Sequence, residues 1–212
     1  GAGKTTLINQ SSGEIDPDEG EIIFAEQDIT HMKTPLRAQL GLGRSCQIIS
    51  ILPSFSARDN ILMAVEANCT VRSRLWPKRG EANQRAEAAD AILSQVGLKG
   101  RGDVPANDLA YGEKRQLELA MALANRPSML VLDEPMAGLG SDESEAMTRL
   151  LQGFRDHCTV LLVEHDMDAV FALADTITVL VQGTVIASGP TSSIRANAEV
   201  RSAYLGDEVD AW

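Results

Sequence analysis

The first six residues, GAGKTT, could do phosphate chemistry. A phosphate-binding loop reads G-x-x-x-x-G-K-[ST], and Gly3, Lys4 and Thr5 match its end. Backbone N–H groups of Gly1, Ala2 and Gly3 could wrap phosphate oxygens, because consecutive amides in a tight turn point the same way. Lys4 would reach the β- and γ-phosphates, the Thr5 hydroxyl would bind Mg²⁺, and Thr6 would touch the α-phosphate. An accidental GK[ST] at a terminus is the competing reading, and these six residues alone leave it open.

Four more stretches carry groups of matching chemistry. SMLVLDEP ends an apolar run on Asp133, suited to hold Mg²⁺ through water, and Glu134, suited to polarise an attacking water. VEHD puts His165 just past Val160–Val163, where an imidazole could hydrogen-bond a γ-phosphate. NDLAYGEKRQLELAMALANRP places Gly112 at a helix start, whose free N–H groups and partial positive charge suit an anion. Leu117, Ala120, Met121 and Ala124 form its expected buried stripe. RSCQ offers Gln47, a residue type that can both ligate Mg²⁺ and orient water. Each also has a plain structural reading, as solvated acids, a surface histidine, an amphipathic helix or a loop amide.

The elements that would position these groups are legible. Helix begins after the glycine loop, over Thr5 to Asn9, and Ile22 to Phe24 reads as a short strand. From about Ser54 to Arg126 the texture is helical: Ile61, Leu62 and Val65 are spaced for one face, and EANQRAEAADAILSQVGL is an Ala-rich helix that Gly97 ends. The basic VRSRLWPKRGE between them reads as an exposed loop. SMLVLDEP and TVLLVEHD share unbroken apolar runs with polar tips, as expected of parallel strands buried on both faces. Their tips lie where open α/β sheets bind ligands. Helices are expected over Asp142–Asp156 and Met167–Ala174, then a hairpin turning at Gln182-Gly183.

Composition bounds the rest. The 212 residues are 44% hydrophobic and carry a net charge of -11, enough for a real core and adverse to nucleic-acid binding, which needs clustered Lys and Arg. Cys46, Cys69 and Cys158 are scattered, as free thiols in a reducing compartment would be. No apolar run approaches the roughly 20 residues of a membrane span, and no signal peptide is visible. The missing initiator Met is read as the mark of a fragment.

Phosphate loop, Gln loop, glycine-led helix, Asp-Glu strand and His-tipped strand follow in that order. This order resembles the nucleotide-binding subunit of ABC transporters over essentially the whole chain. LAYGE at Leu109–Glu113 is similar to the family signature LSGGQ, and EKRQLELAMALANRPSMLVLDEPMAGL resembles ATPase subunits of branched-chain amino acid importers. RSCQ is similar to their RTFQ, VEHDM to their His switch, and AYLGDE to their C-terminal AYLGEE. The lipopolysaccharide-export ATPase has a related ending and urea importers belong to the same branch, and a soluble ABC ATPase or a silent remnant are further alternatives.

The resemblance implies an α/β fold: a P-loop NTPase core with a mostly parallel sheet, residues 1–53 and 127–212, and an inserted helical signature subdomain, 54–126. It implies ATP and Mg²⁺ as cofactors and a second ATPase subunit, the same or different, packed head to tail. Gly1 to Thr6 of one subunit would then meet Ala110, Tyr111, Gly112 and Glu113 of the other. Metal ligands would be Thr5, Gln47 and Asp133, and the catalytic groups Glu134, His165 and Gln47. Transmembrane permease subunits would dock near residues 48–80, with a substrate-binding protein acting indirectly, at the cytoplasmic face of the inner membrane. IISILPSF suits either that docking surface or subdomain core.

Three departures stand out. Ala110 replaces the signature Ser, removing a hydroxyl aimed at the γ-phosphate, worth about 0.5–1.5 kcal/mol. Gly140 occupies the family's D-loop Asp position, with Asp142 displaced nearby. The family's upstream adenine-stacking aromatic and the strand feeding the loop are not in this sequence. Several tens of residues are therefore expected before Gly1, and poor ATP binding from the 212 residues alone.

Overall fold

A computed structural model describes residues 2–44, 51–67 and 81–205. Gly1, Gln47, the other residues of 45–50, residues 68–80, which hold most of VRSRLWPKRGE, and the end of AYLGDE lie outside the described residues.

The sheet that carries the site is parallel. β3 (Leu42–Arg44), β4 (Met129–Asp133) and β5 (Thr159–Val163) lie side by side, Arg44 opposite Val131 and Asp133 opposite Val163. Antiparallel pairs flank it: β1 (Ile23–Phe24) with β2 (Gln27–Asp28), and β6 (Thr176–Val181) with β7 (Thr184–Pro190). The second pair turns at Gln182-Gly183 as the sequence predicts.

Leu130, Val131 and Leu132 of β4 are almost wholly buried, matching their unbroken apolar run. β5 differs from the expectation. Val160, Leu161 and Leu162 are only half-buried, because among the described residues β5 pairs on one side alone, and a groove of 580 Å³ lies between it and β6.

α1 (Lys4–Ser12) packs on β4, where Ile8 joins Val131 and Leu42 in one apolar cluster. α2 (Thr34–Gln39) leads into β3. The helical block holds α3 (Ala57–Ala67), α4 (Glu81–Gln95) and α5 (Tyr111–Leu123). Gly97 ends α4 in a left-handed conformation, φ 85°, and Leu98 N–H returns to Leu93 O at 2.8 Å, satisfying an orphan carbonyl.

The block's core is continuous with the sheet: Ile61, Leu93 and Leu117 belong to the same cluster as Leu130 and Leu132. The buried face of α5 is broader than the predicted stripe. Leu117 and Ala120 are fully buried, Arg115, Glu118 and Leu119 are buried too, and Met121 and Ala124 only half-buried. α6 (Ser141–Gln152) and α7 (Met167–Leu173) follow the two strand tips. α8 (Thr191–Ala196) and α9 (Ala198–Leu205) pack on the hairpin.

Candidate functional site: a bare helix end facing two strand tips

Gly3 lies just before α1 with φ 88°, a conformation that favours glycine. A Cβ there would come 3.3 Å from Gly183 Cα, and Gly183 N–H donates to Ala2 O at 3.0 Å. The hairpin turn thus braces the loop. The first turn of α1 has no side-chain cap and no acidic residue. Its orphan N–H groups and the helix dipole are therefore available to an anion. Lys4 is half-buried beside them, while Thr5 and Thr6 are exposed.

The opposite end of α1 is fixed by two arginines that the sequence reading missed. Arg37 is fully buried, and its guanidinium donates to Gln10 O at 2.6 Å, Ser11 O at 2.7 Å and Thr30 O at 2.9 Å. It satisfies carbonyls that a helix C-terminus leaves unpaired. Arg44 of β3 donates to Asn9 Oδ1 at 2.7 Å and Ser12 Oγ at 2.6 Å, and pairs with Glu14 at 2.7 Å.

Asp133, at the tip of β4, is 2% exposed, and neither carboxylate oxygen has a hydrogen-bond partner among the described residues. Burial and the neighbouring Glu134 push its carboxyl above the usual range, while Arg44 and Lys4 oppose that shift. A buried carboxylate with two unused oxygens fits a hard cation. The described residues contain no group of three or more carboxylate, His or Cys ligands. Mg²⁺, which binds through one or two carboxylates plus water and phosphate oxygens, is such a hard cation.

Glu134 adopts φ 50°, unusual for a residue with a side chain. Its N–H donates to Val163 O at 2.8 Å and its carbonyl accepts from Ala137 N–H at 3.0 Å. The left-handed step turns its side chain away from Asp133 toward β5, where Oε1 is 3.7 Å from His165 Nδ1. His165 is 64% exposed. Glu164, also missed from sequence, is the structural partner of this turn. Its side chain is fully buried, accepting from Met136 N–H at 2.9 Å and His165 N–H at 3.2 Å. No local pattern marks it, because Glu164 follows the end of β5 and its acceptors are filled only by backbone groups that the fold brings to it.

Lys4, Asp133, Glu134 and His165 thus converge at one end of the parallel sheet. The Ala110–Glu113 turn stands apart: α1 and α5 make no extended contact among the described residues. Ala110 and Tyr111 are exposed there, and Glu113 accepts from Ala110 N–H at 2.9 Å and from Arg101 at 2.8 and 3.0 Å.

Residues 1–137 match the family profile described as ABC transporter, and residues 184–210 match the profile described as branched-chain amino acid ATP-binding cassette transporter. The chain is 34% identical over 214 residues to the high-affinity branched-chain amino acid transport ATP-binding protein LivG of Escherichia coli (strain K12), covering 98% of this chain and 84% of that protein. It is 32% identical over 209 residues to the lipopolysaccharide export system ATP-binding protein LptB of Acidithiobacillus ferridurans, covering 98% and 83%. Among solved structures it is similar to the ADP conformation of MJ1267, an ATP-binding cassette of an ABC transporter. There the TM-score is 0.81 and the identity 29%, over 97% of this chain and 84% of that one.

Proposed function

The chain belongs to the ABC transporter family as an ATP-hydrolysing subunit, and from that premise we propose that it powers the uptake of branched-chain amino acids. The observation that carries the chemistry is the convergence of an uncapped helix end with Lys4, an Asp133 whose carboxylate oxygens have no hydrogen-bond partner among the described residues, and the Glu134–His165 pair. The cargo rests on the match over residues 184–210, with lipopolysaccharide export as the second reading because of the similarity to LptB.

In this reading Gly1 to Thr6 and Lys4 hold the ATP phosphates, and His165 hydrogen-bonds the γ-phosphate. Glu134 takes a proton from water as the water oxygen attacks the γ-phosphorus. The bond to the β–γ bridging oxygen breaks, giving ADP and phosphate. Thr5, Gln47 and Asp133 would hold Mg²⁺, which supplies charge neutralisation when bound. The Ala110–Glu113 turn completes the site from a second ATPase subunit. Closure and reopening of the pair drive the permease subunits at the cytoplasmic face of the membrane. Among the described residues no helix is long and apolar enough to cross a membrane.

Glu134→Gln tests the chemistry. ATP hydrolysis is expected to fall about 10²- to 10⁴-fold, the range for loss of a general base, while ATP-bound dimers persist on gel filtration. Hydrolysis near the wild-type rate removes Glu134 from that role. Leucine uptake by vesicles holding the assembled transporter tests the cargo, and ATP-dependent lipid-linked release without uptake selects the second reading.

A further inference from the structure

Tyr111 sits in the signature turn, yet its side chain is engaged within its own chain. Its hydroxyl donates to Ala137 O at 3.2 Å and accepts from Arg115 Nη2 at 3.1 Å. The Arg115 guanidinium lies 5.5 Å from the centre of the Tyr111 ring and bonds buried Glu118 at 3.0 Å. The ring also covers Gly138: a Cβ at that glycine would fall 3.1 Å from both Tyr111 Cε1 and its hydroxyl oxygen. Gly138 is left-handed, φ 79°, so the turn has a second reason to carry glycine here.

Ala137 belongs to the turn that shapes Glu134. Its N–H closes that turn on the Glu134 carbonyl at 3.0 Å, and Leu139 N–H continues it to Met136 O at 3.1 Å. Glu134 holds a backbone conformation that costs of order 1–3 kcal/mol and persists only where its surroundings enforce it. Buried Glu164 restrains the turn from the sheet side through Met136 N–H. Tyr111 restrains it from the helical side through Ala137 O. The carboxylate of Glu134 is therefore aimed from both halves of the molecule.

We infer that Tyr111 is a positioning residue that ties the start of α5 to the Glu134 turn of the same chain, so that displacement of the helical block shifts the general base. The catalytic part of this rests on Glu134 acting as that base. Restraint of the turn does not.

Tyr111→Phe isolates the hydroxyl and keeps the ring over Gly138. Two readouts are taken on the full chain with its partners. Hydrogen exchange without nucleotide should quicken in the segment spanning residues 135–140 by roughly two- to tenfold, the effect of losing one neutral hydrogen bond, with α1 and β5 unchanged. The kcat for ATP hydrolysis should fall by a similar factor, with KM for ATP within twofold and Tm lowered by no more than about 2–6 °C. Unchanged exchange overturns the inference whatever the activity. Faster exchange with unchanged kcat overturns the positioning role. If neither variant nor parent hydrolyses ATP, the ATPase reading fails, and the exchange result still decides whether Tyr111 holds the turn.

Discussion

α1 begins without a side-chain cap and without an acidic residue in its first turn, whereas α5 begins with Glu113 folded back onto Ala110 N–H. Both helix ends carry the same backbone donors and the same dipole, worth about 0.3–1 kcal/mol to a nearby anion. They differ in what the chain has already done with them. At α5 a carboxylate occupies one orphan donor, and Arg101 offsets its charge. At α1 the donors stay open and Lys4 adds a full positive charge. One end carries a side chain of its own chain on its first donor, and the other carries none among the described residues.

Lys4→Ala strikes the open end hardest. Loss of charge-assisted hydrogen bonds to phosphate, about 1.5–3 kcal/mol, should weaken ATP binding roughly 10- to 100-fold in calorimetric titration. Unaltered affinity would mean that the bare end of α1 is not the phosphate site.

Thr6→Glu makes α1 resemble α5, because Thr6 holds the third position of its helix as Glu113 does in α5. A carboxylate there can reach the Gly3 N–H and favour the dipole. Tm should rise by a degree or two, from about 0.5 kcal/mol in a chain of this size. ATP binding should weaken roughly tenfold as the carboxylate repels phosphate. The two readouts move in opposite directions only if the end is kept open for an anion. A rise in Tm with full ATP affinity would separate the bare end from the ligand.

The groups that touch the proposed ligand were readable from sequence because each stands beside a strong local signal. Lys4 follows the glycine loop, Asp133 and Glu134 end an apolar run, and His165 sits just past another. The groups that hold them in place were not readable. β3 is three residues long and contains a glycine, too short to show periodicity, so Arg44 was seen only as part of a loop. Arg37 lies on a six-residue helix and would be taken for a surface charge. It is fully buried because carbonyls from residues 10, 11, 30 and 32 converge on it, and only the folded chain brings those together. β5 misled in the other direction. Its apolar run reads like that of β4, and nothing in those five residues shows that β5 pairs on one side alone among the described residues.

Glu113→Gln perturbs the closed end and should have the smallest effect. The hydrogen bonds from Arg101 hold the Glu113 carboxyl below the usual range, burial opposes them, and the Ala110 N–H adds to the lowering. A carboxyl lowered on folding contributes stability above its unfolded pKa, and that contribution is lost as pH falls through the folded value. Gln keeps a hydrogen-bond acceptor for Ala110 N–H but no charge for Arg101. The wild-type protein should therefore melt a degree or two above the variant at pH 7, for about 0.5 kcal/mol. The gap should close below pH ~4, as Glu113 itself becomes neutral. A gap that stays constant into acid would mean that α5 is capped by shape alone, and the contrast with α1 would then lie in side-chain reach and not in charge.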